Sequence, residues 1–76
     1  MFDPHVGDLI CARYRNKICV HKHRYLDYQH SNTAGYADLD NVYIVSDIDG
    51  EYGHTIHIHG TTLCGWTDAY DWKKIG

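Results

Sequence analysis

Seven histidines are the most unusual feature of this 76-residue sequence, and some of them could bind a metal ion. His21 and His23 are two residues apart, as are His57 and His59, and this spacing puts both imidazoles of a pair on one face of a β-strand. Cys19 lies on the face of the first pair. These five residues could form a zinc site, since zinc prefers thiolate and imidazole ligands. None of the spacings is a standard zinc motif, so solvated histidines are the alternative, and we expect no resident cofactor.

The same histidines allow two further kinds of chemistry. With pKa values of about 6.5, they could make binding to a partner sensitive to pH. Cys64 could act as a nucleophile if His57 or His59 approached it as a base from a neighbouring strand. A chain of this size has little interior to enclose a substrate, and it contains no phosphate-binding loop, nucleophile elbow or HExxH motif. We therefore expect a protein without enzymatic activity.

The segment 13–24 is the best candidate for binding nucleic acid, because it is rich in basic residues and contains no acidic one. Tyrosines are interleaved with these cations, and aromatic rings can stack on unpaired bases while cations neutralise phosphates. The whole chain is nevertheless acidic, with a formal charge of −3, whereas a dedicated nucleic-acid-binding domain is usually strongly basic. The candidate contacts are Arg13, Arg15, Lys17, Lys22 and Arg24.

Acidic residues and tyrosines around the middle of the chain favour a protein partner instead. Aromatic anchors with a charged rim are typical of protein interfaces, and an acidic patch complements a basic groove. The alternative is that the tyrosines belong to the core and the aspartates stabilise turns. The candidate contacts are Tyr36, Asp38, Asp40, Tyr43, Asp47 and Tyr52.

A β-hairpin over residues 41–60 is the clearest structural element in the sequence. β-Branched residues alternate with period two from Val42 to Asp47, and Asp49-Gly50 then supplies the residue types that a tight connection needs. In the second strand Ile56 and Ile58 fall on one face, opposite Thr55, His57 and His59.

Other strands are predicted at 9–14, 18–23 and 61–66, with a brief last one at 73–76. Residues 25–40 are weakly patterned and predict a long loop. Residues 67–72 predict one helical turn, capped by Thr67 or Asp68, in which Ala69 and Trp72 share the buried side.

These elements predict an all-β fold, a small antiparallel barrel of five or six short strands with one helical turn near the C-terminus. The chain length allows a single domain, residues 1–76, and the many aromatic residues can fill a thin core. The predicted core is Leu9, Ile18, Val20, Ile44, Ile48, Ile56, Ile58, Trp66, Ala69 and Ile75.

The composition also bears on location. No apolar run approaches the length of a membrane span, and no signal peptide is evident, so we expect a cytoplasmic protein that does not bind membranes. Three cysteines without paired spacing predict buried thiols rather than a disulfide framework.

Three short stretches resemble a known group of proteins: Val6-Gly7-Asp8, the hairpin motif 42–50, and the closing pattern Gly65-Trp66…Ala69…Trp72…Ile75. They are similar to small SH3-like-barrel proteins encoded by bacteriophages and prophages. The resemblance implies a non-enzymatic binding module that docks on a host protein and modulates or inhibits it, in the host cytoplasm. The histidine-rich strands and the basic second strand depart from the pattern of that group.

Overall fold

The computed structural model describes residues 3–14, 17–23, 33–38, 40–49 and 54–75. Within these ranges the chain is almost entirely β-strand, and its one helical element is a 3-10 turn, Ala69–Asp71. The strands are β1 (Leu9–Ala12), β2 (Ile18–His21), β3 (Thr33–Ala37), β4 (Tyr43–Ile48), β5 (Thr55–His59), β6 (Cys64–Asp68) and β7 (Trp72–Lys74). No helix in the described parts of the chain is long and apolar enough to cross a membrane.

All seven strands belong to one antiparallel sheet with the order β3-β2-β6-β5-β4-β1-β7. Strands β6 and β7 are four places apart in this order, which in a flat sheet would separate them by about 19 Å. The 3-10 turn that joins them has three residues and spans about 6 Å. The sheet must therefore curl until β7 comes close to the end of β6, and this curvature produces a small barrel.

The expectation of an all-β fold is confirmed, but the strand count and one loop are corrected. Residues 25–40 were expected to form a loop, yet Thr33–Ala37 forms β3, which pairs with β2. Alanine and glycine in β3 are weak strand formers, so the pairing with β2 outweighs local preference here. The 41–60 hairpin is present as the antiparallel pair β4 and β5, with an irregularity in register between Val45 and Asp47.

The core lies on the inner face of the curled sheet. It consists of Ile10, Ile18, Val20, Ala37, Tyr43, Val45, Ile56, Ile58, Ala69 and Trp72. Tyr43 packs edge-to-face on Trp72, with 5.2 Å between the ring centroids. The largest buried side chain is that of Trp72, so the 3-10 turn that carries it closes the core as well as the sheet.

Several predicted core residues lie on the opposite face. Leu9, Ile44 and Ile75 are exposed, and Trp66 is only partly buried. Alternation along a strand groups residues by face but does not say which face is inside. In β1 the inward residue is Ile10 rather than Leu9, and in β4 it is Tyr43 and Val45 rather than Ile44.

Inside the barrel, Thr67 joins three strands through its hydroxyl group. The indole Nε1 of Trp72 donates a hydrogen bond of 3.1 Å to Thr67 Oγ1, and this hydroxyl donates to the Cys19 carbonyl at 3.4 Å. Thr67 is completely buried, so both of its polar contacts are made away from water. The preceding inward position is Gly65, where a Cβ would overlap the carbonyl of His21 and the side chain of Val20. Strands β2 and β6 can approach this closely because Gly65 has no side chain.

Candidate functional site

The outer surface of the barrel carries a row of aromatic and imidazole side chains that we call the Trp66 face. Trp66 lies between His21 of β2 and His57 of β5, and it is in register with both. The rings of Trp66 and His57 meet edge-to-face, with centroids 5.1 Å apart. The face comprises Tyr36, Cys19, His21, Trp66, His57 and His59.

Strand alternation explains why Trp66 points outward. Its neighbours Gly65 and Thr67 are both buried on the inner face, so the side chain between them must emerge on the other side of the sheet. A half-buried indole in the middle of four strands offers a large, rigid and partly apolar contact area. Tyr36 lies at the edge of the same face, opposite Cys19 on the neighbouring strand, and is 59% exposed.

His57 is held in one orientation by Ser46. The Ser46 hydroxyl donates to the His57 carbonyl at 3.1 Å, and its oxygen lies 2.6 Å from His57 Nδ1. Because serine has a single hydroxyl hydrogen, Nδ1–H of the ring must donate to the serine oxygen. This fixes the tautomer and leaves the Nε2 lone pair of the neutral ring available to a ligand.

The protonation of His57 is disfavoured by its surroundings. Burial lowers its pKa below the ordinary value of 6.5, positive charge on His59 lowers it further, and Asp47 opposes them. The rings of His57 and His59 lie side by side, with centroids 5.9 Å apart. At neutral pH the ring of His57 is therefore a neutral hydrogen-bond acceptor rather than a cation.

The zinc site expected from Cys19, His21, His23, His57 and His59 does not form. Strand β6 separates β2 from β5, which puts their backbones about 10 Å apart, and the side chain of Trp66 fills the interval. Zinc needs ligand atoms about 2 Å away on several sides. Within the ranges that the structure describes, no three histidine, cysteine, aspartate or glutamate side chains form a group able to hold a metal ion.

The three cysteines, all free thiols, occupy different places on the outer surface. Cys64 is exposed and lies opposite His59 in the register of β5 and β6, which is the approach that nucleophile chemistry would require. Both residues lie on the convex side of the sheet, where they are open to water. Cys19 and Cys11 are partly buried, and the thiol of Cys19 lies 3.7 Å from Thr33 Oγ1.

The basic residues of segment 13–24 do not form one patch in the described part of the chain. The guanidinium of Arg13 lies over the rings of Tyr14 and Tyr70, at 5.5 and 5.1 Å from their centroids. Lys17 precedes β2 and Lys22 follows it, so their backbones are about 16 Å apart. Arg15 and Arg24 lie outside the described residues.

The residues expected to bind a protein are also dispersed. Tyr43 is a core residue, only 4% exposed, so its predicted role as a contact is wrong. Asp38 and Asp40 are exposed between β3 and β4, and Asp47 is exposed beside His57. Tyr52 lies outside the described residues. Of this predicted set, Tyr36 belongs to the Trp66 face and Asp47 lies at its border, whereas Trp66 itself was assigned to the core.

A second surface, which we call the aliphatic face, covers the outside of β4, β1 and β7. Leu9 is paired with Ile44, and the amide of Ile75 donates a hydrogen bond of 2.9 Å to the Leu9 carbonyl. Val42 comes two residues before Ile44 and lies on the same side of the sheet. The four side chains, Leu9, Val42, Ile44 and Ile75, are between 39% and 52% exposed.

Comparison with known proteins does not identify a relative. No family model matches the chain, and neither the curated proteins nor the solved structures contain a match. The resemblance to phage SH3-like proteins therefore stays a prediction, and what this chain is similar to is not established beyond its all-β fold.

Proposed function

We propose that this protein is a non-enzymatic binding module that docks on a protein partner through the Trp66 face. The observation that carries the proposal is the position of Trp66, half-buried at the centre of four strands and flanked in register by two imidazoles. Tryptophan and tyrosine are the residues most enriched where interface residues contribute strongly to binding. Trp66 and Tyr36 would be the two main contacts.

The charges around the Trp66 face favour a partner that carries basic side chains. Asp47 lies beside His57, and Asp68 follows Trp66 by two residues on the outer side of β6. The net charge of the chain is −3, and a neutral His57 adds no positive charge at neutral pH. An acidic border of this kind attracts cationic protein surfaces and repels a polyanion.

Nucleic acid is the second candidate, because aromatic and imidazole rings can stack on unpaired bases. Its weakness is the distribution of cations. Lys17 and Lys22 are at opposite ends of β2, and Arg13 packs on two tyrosines beside the 3-10 turn. A phosphate backbone that crossed Trp66 would meet Asp47 and Asp68 rather than a basic stripe.

Two further features of the proposal come from the sequence. If the resemblance to phage-encoded barrels holds, the partner is a host protein that the module modulates or inhibits. A cytoplasmic location agrees with three free cysteines, since cytosolic proteins keep their thiols reduced.

The proposal can be tested with peptides selected from a random displayed library and with single-stranded oligonucleotides at two salt concentrations. We expect selected peptides rich in lysine and arginine, and we expect Trp66→Ala and Tyr36→Ala each to weaken their binding about tenfold or more. Tyr70→Ala is the matched control, because Tyr70 is a similarly exposed tyrosine outside this face, and it should leave binding unchanged.

Two results would overturn the proposal. One is selected peptides that bind the Trp66→Ala variant as tightly as they bind the unaltered protein, once far-UV circular dichroism has shown that the variant is folded. The other is strong, salt-sensitive binding of oligonucleotides without binding of peptides, which would favour the nucleic-acid function.

A further inference from the structure

We infer that a second copy of this chain covers the aliphatic face, so that the protein forms a two-fold symmetric dimer. This inference is independent of the proposed function, because the aliphatic face lies on β4, β1 and β7 and the main contacts of the Trp66 face lie on β3 and β6. It depends on the exposure of the aliphatic side chains, on their arrangement across β1 and on the charges at their two borders.

The first observation is the concentration of exposed aliphatic side chains. In the described residues, the exposed large hydrophobic side chains are three tyrosines and five aliphatic ones, the four of the aliphatic face and Val6. Tyrosine is amphipathic and tolerates water, whereas contiguous exposed aliphatic residues usually mark an interaction surface. Leu9, Ile44 and Ile75 are direct neighbours across three strands, so they form one surface rather than scattered contacts.

The second observation is that the face is arranged almost symmetrically about β1. Leu9 and Cys11 point outward from this central strand. On one side β4 supplies Ile44 opposite Leu9, and on the other side β7 supplies Ile75. If a two-fold axis ran along β1 in the plane of the interface, Leu9 would contact its own copy, and Ile44 of one chain would pack on Ile75 of the other.

The third observation is that the two borders of the face have opposite charge. Asp38 and Asp40 are exposed just before Val42, on the β4 side. Lys73 is exposed on the β7 side, opposite Cys11 in the register of β1 and β7. The same two-fold axis exchanges the two sides, so the acidic border of each chain faces the lysine of the other. A surface that complements itself in shape and charge is what a symmetric interface requires.

The geometry also specifies which cysteines approach each other. Packed sheets lie about 10 Å apart, so the backbones at Cys11 in the two chains would be separated by about that distance across the axis. This is too far for a disulfide but within reach of a short bismaleimide. Cys64 lies on β6, three strands from β1 and therefore about 14 Å from the axis, so its two copies would be out of reach.

The test combines light scattering with crosslinking on the full chain. We expect the molar mass to rise with concentration from that of one chain, 8.8 kDa, towards twice that value between micromolar and millimolar protein. A variant that keeps only Cys11 (Cys19→Ser, Cys64→Ser) should crosslink to a dimer. The matched control, Cys11→Ser with Cys19→Ser, keeps the more exposed Cys64 and should not crosslink. A constant mass of one chain, or equal crosslinking of the two variants, would overturn the inference.

Substitutions test the face and the charges separately. Leu9→Asp should weaken association about tenfold or more, because it places a carboxylate on the two-fold axis. Lys73→Glu should weaken it about two- to fivefold, as expected for an exposed ion pair, and adding Asp38→Lys with Asp40→Lys should restore it. These surface charge changes keep the inference testable even if Leu9→Asp does not fold. Association that neither Leu9→Asp nor Lys73→Glu weakens would contradict it.

Discussion

The two tryptophans of this protein lie six residues apart and have opposite roles. Trp72 is buried against Tyr43, and its indole nitrogen donates a hydrogen bond to Thr67. Trp66 lies on the outer face of β6, where it contacts His57 and remains partly exposed. The difference arises from position along one strand and the turn that follows it, because residue type favours burial equally for both. It separates a residue that holds the fold together from one that is available for binding.

The largest effect should distinguish these two residues directly. We expect Trp72→Ala to lower the free energy of unfolding by about 3–5 kcal/mol, since it leaves a cavity in a small core. Trp66→Ala should lower it by about 1 kcal/mol or less, because most substitutions of surface residues have small effects. Urea unfolding followed by far-UV circular dichroism measures both. Equal losses would show that Trp66 supports the fold as much as Trp72 does.

Gly65 sharpens the comparison from the inner side of β6. We expect Gly65→Ala to lower the free energy of unfolding by about 1–3 kcal/mol, because its Cβ would push against the backbone carbonyl of His21. Gly35→Ala is the control, since the added Cβ there meets only the flexible end of the Leu63 side chain and should cost less. Chemical denaturation of the two variants under identical conditions compares them. An equal cost at both sites would contradict this account of Gly65.

The hydroxyl of Thr67 should have the next largest effect. Thr67→Val keeps the shape of the side chain but leaves the Trp72 N–H and the Cys19 carbonyl without this partner, at a cost of about 1–3 kcal/mol. Thr67→Ser retains the hydroxyl and should recover part of that loss. Thermal unfolding of both variants measures the difference. If valine were as stable as threonine, the buried hydrogen bonds would contribute nothing to stability.

The smallest effect should come from His57 on the outer side. Its pKa is lowered in the folded protein, so below pH 6.5 the unfolded chain binds a proton that the folded chain resists. Stability from this group is therefore complete above pH 6.5 and is lost as the pH falls through the lower folded pKa. The difference in unfolding free energy between the unaltered protein and His57→Gln, measured from pH 7.5 to pH 5, should shrink or change sign in acid. A difference that does not vary with pH would show that burial of His57 is unimportant.

Much of the fold could be predicted from the sequence because several local signals agree. The 41–60 hairpin combines alternation, β-branched residues and a glycine-containing connection. The turn at 69–71 is capped as expected, since the side chain of Asp68 accepts a hydrogen bond of 2.9 Å from the Tyr70 amide. The burial of Ala69 and Trp72 also agrees with the prediction.

The site could not be predicted equally well, because it depends on which face of each strand turns inward. The run Cys64-Gly-Trp-Thr-Asp68 alternates, but the position of Gly65 inside the barrel is imposed by the close approach of β2. The outward position of Trp66 follows from that contact between distant parts of the chain. The same difficulty explains why Leu9 and Ile44 were expected in the core. Strand β3 was missed because its stability comes from pairing with β2 rather than from its own composition.

The pairing of β1 with β7 has a consequence for how quickly the chain can fold. Ile10 is in register with Lys74, so the first and last strands must find each other across nearly the whole chain. Pairings between residues so distant in sequence slow folding, and small all-β barrels of this kind fold in milliseconds to seconds. On a ribosome, β1 must wait for β7 to be synthesised, and until then the edge of β1 that β7 will occupy is open to other chains. The speed of the last few residues therefore governs how long the molecule is exposed to aggregation.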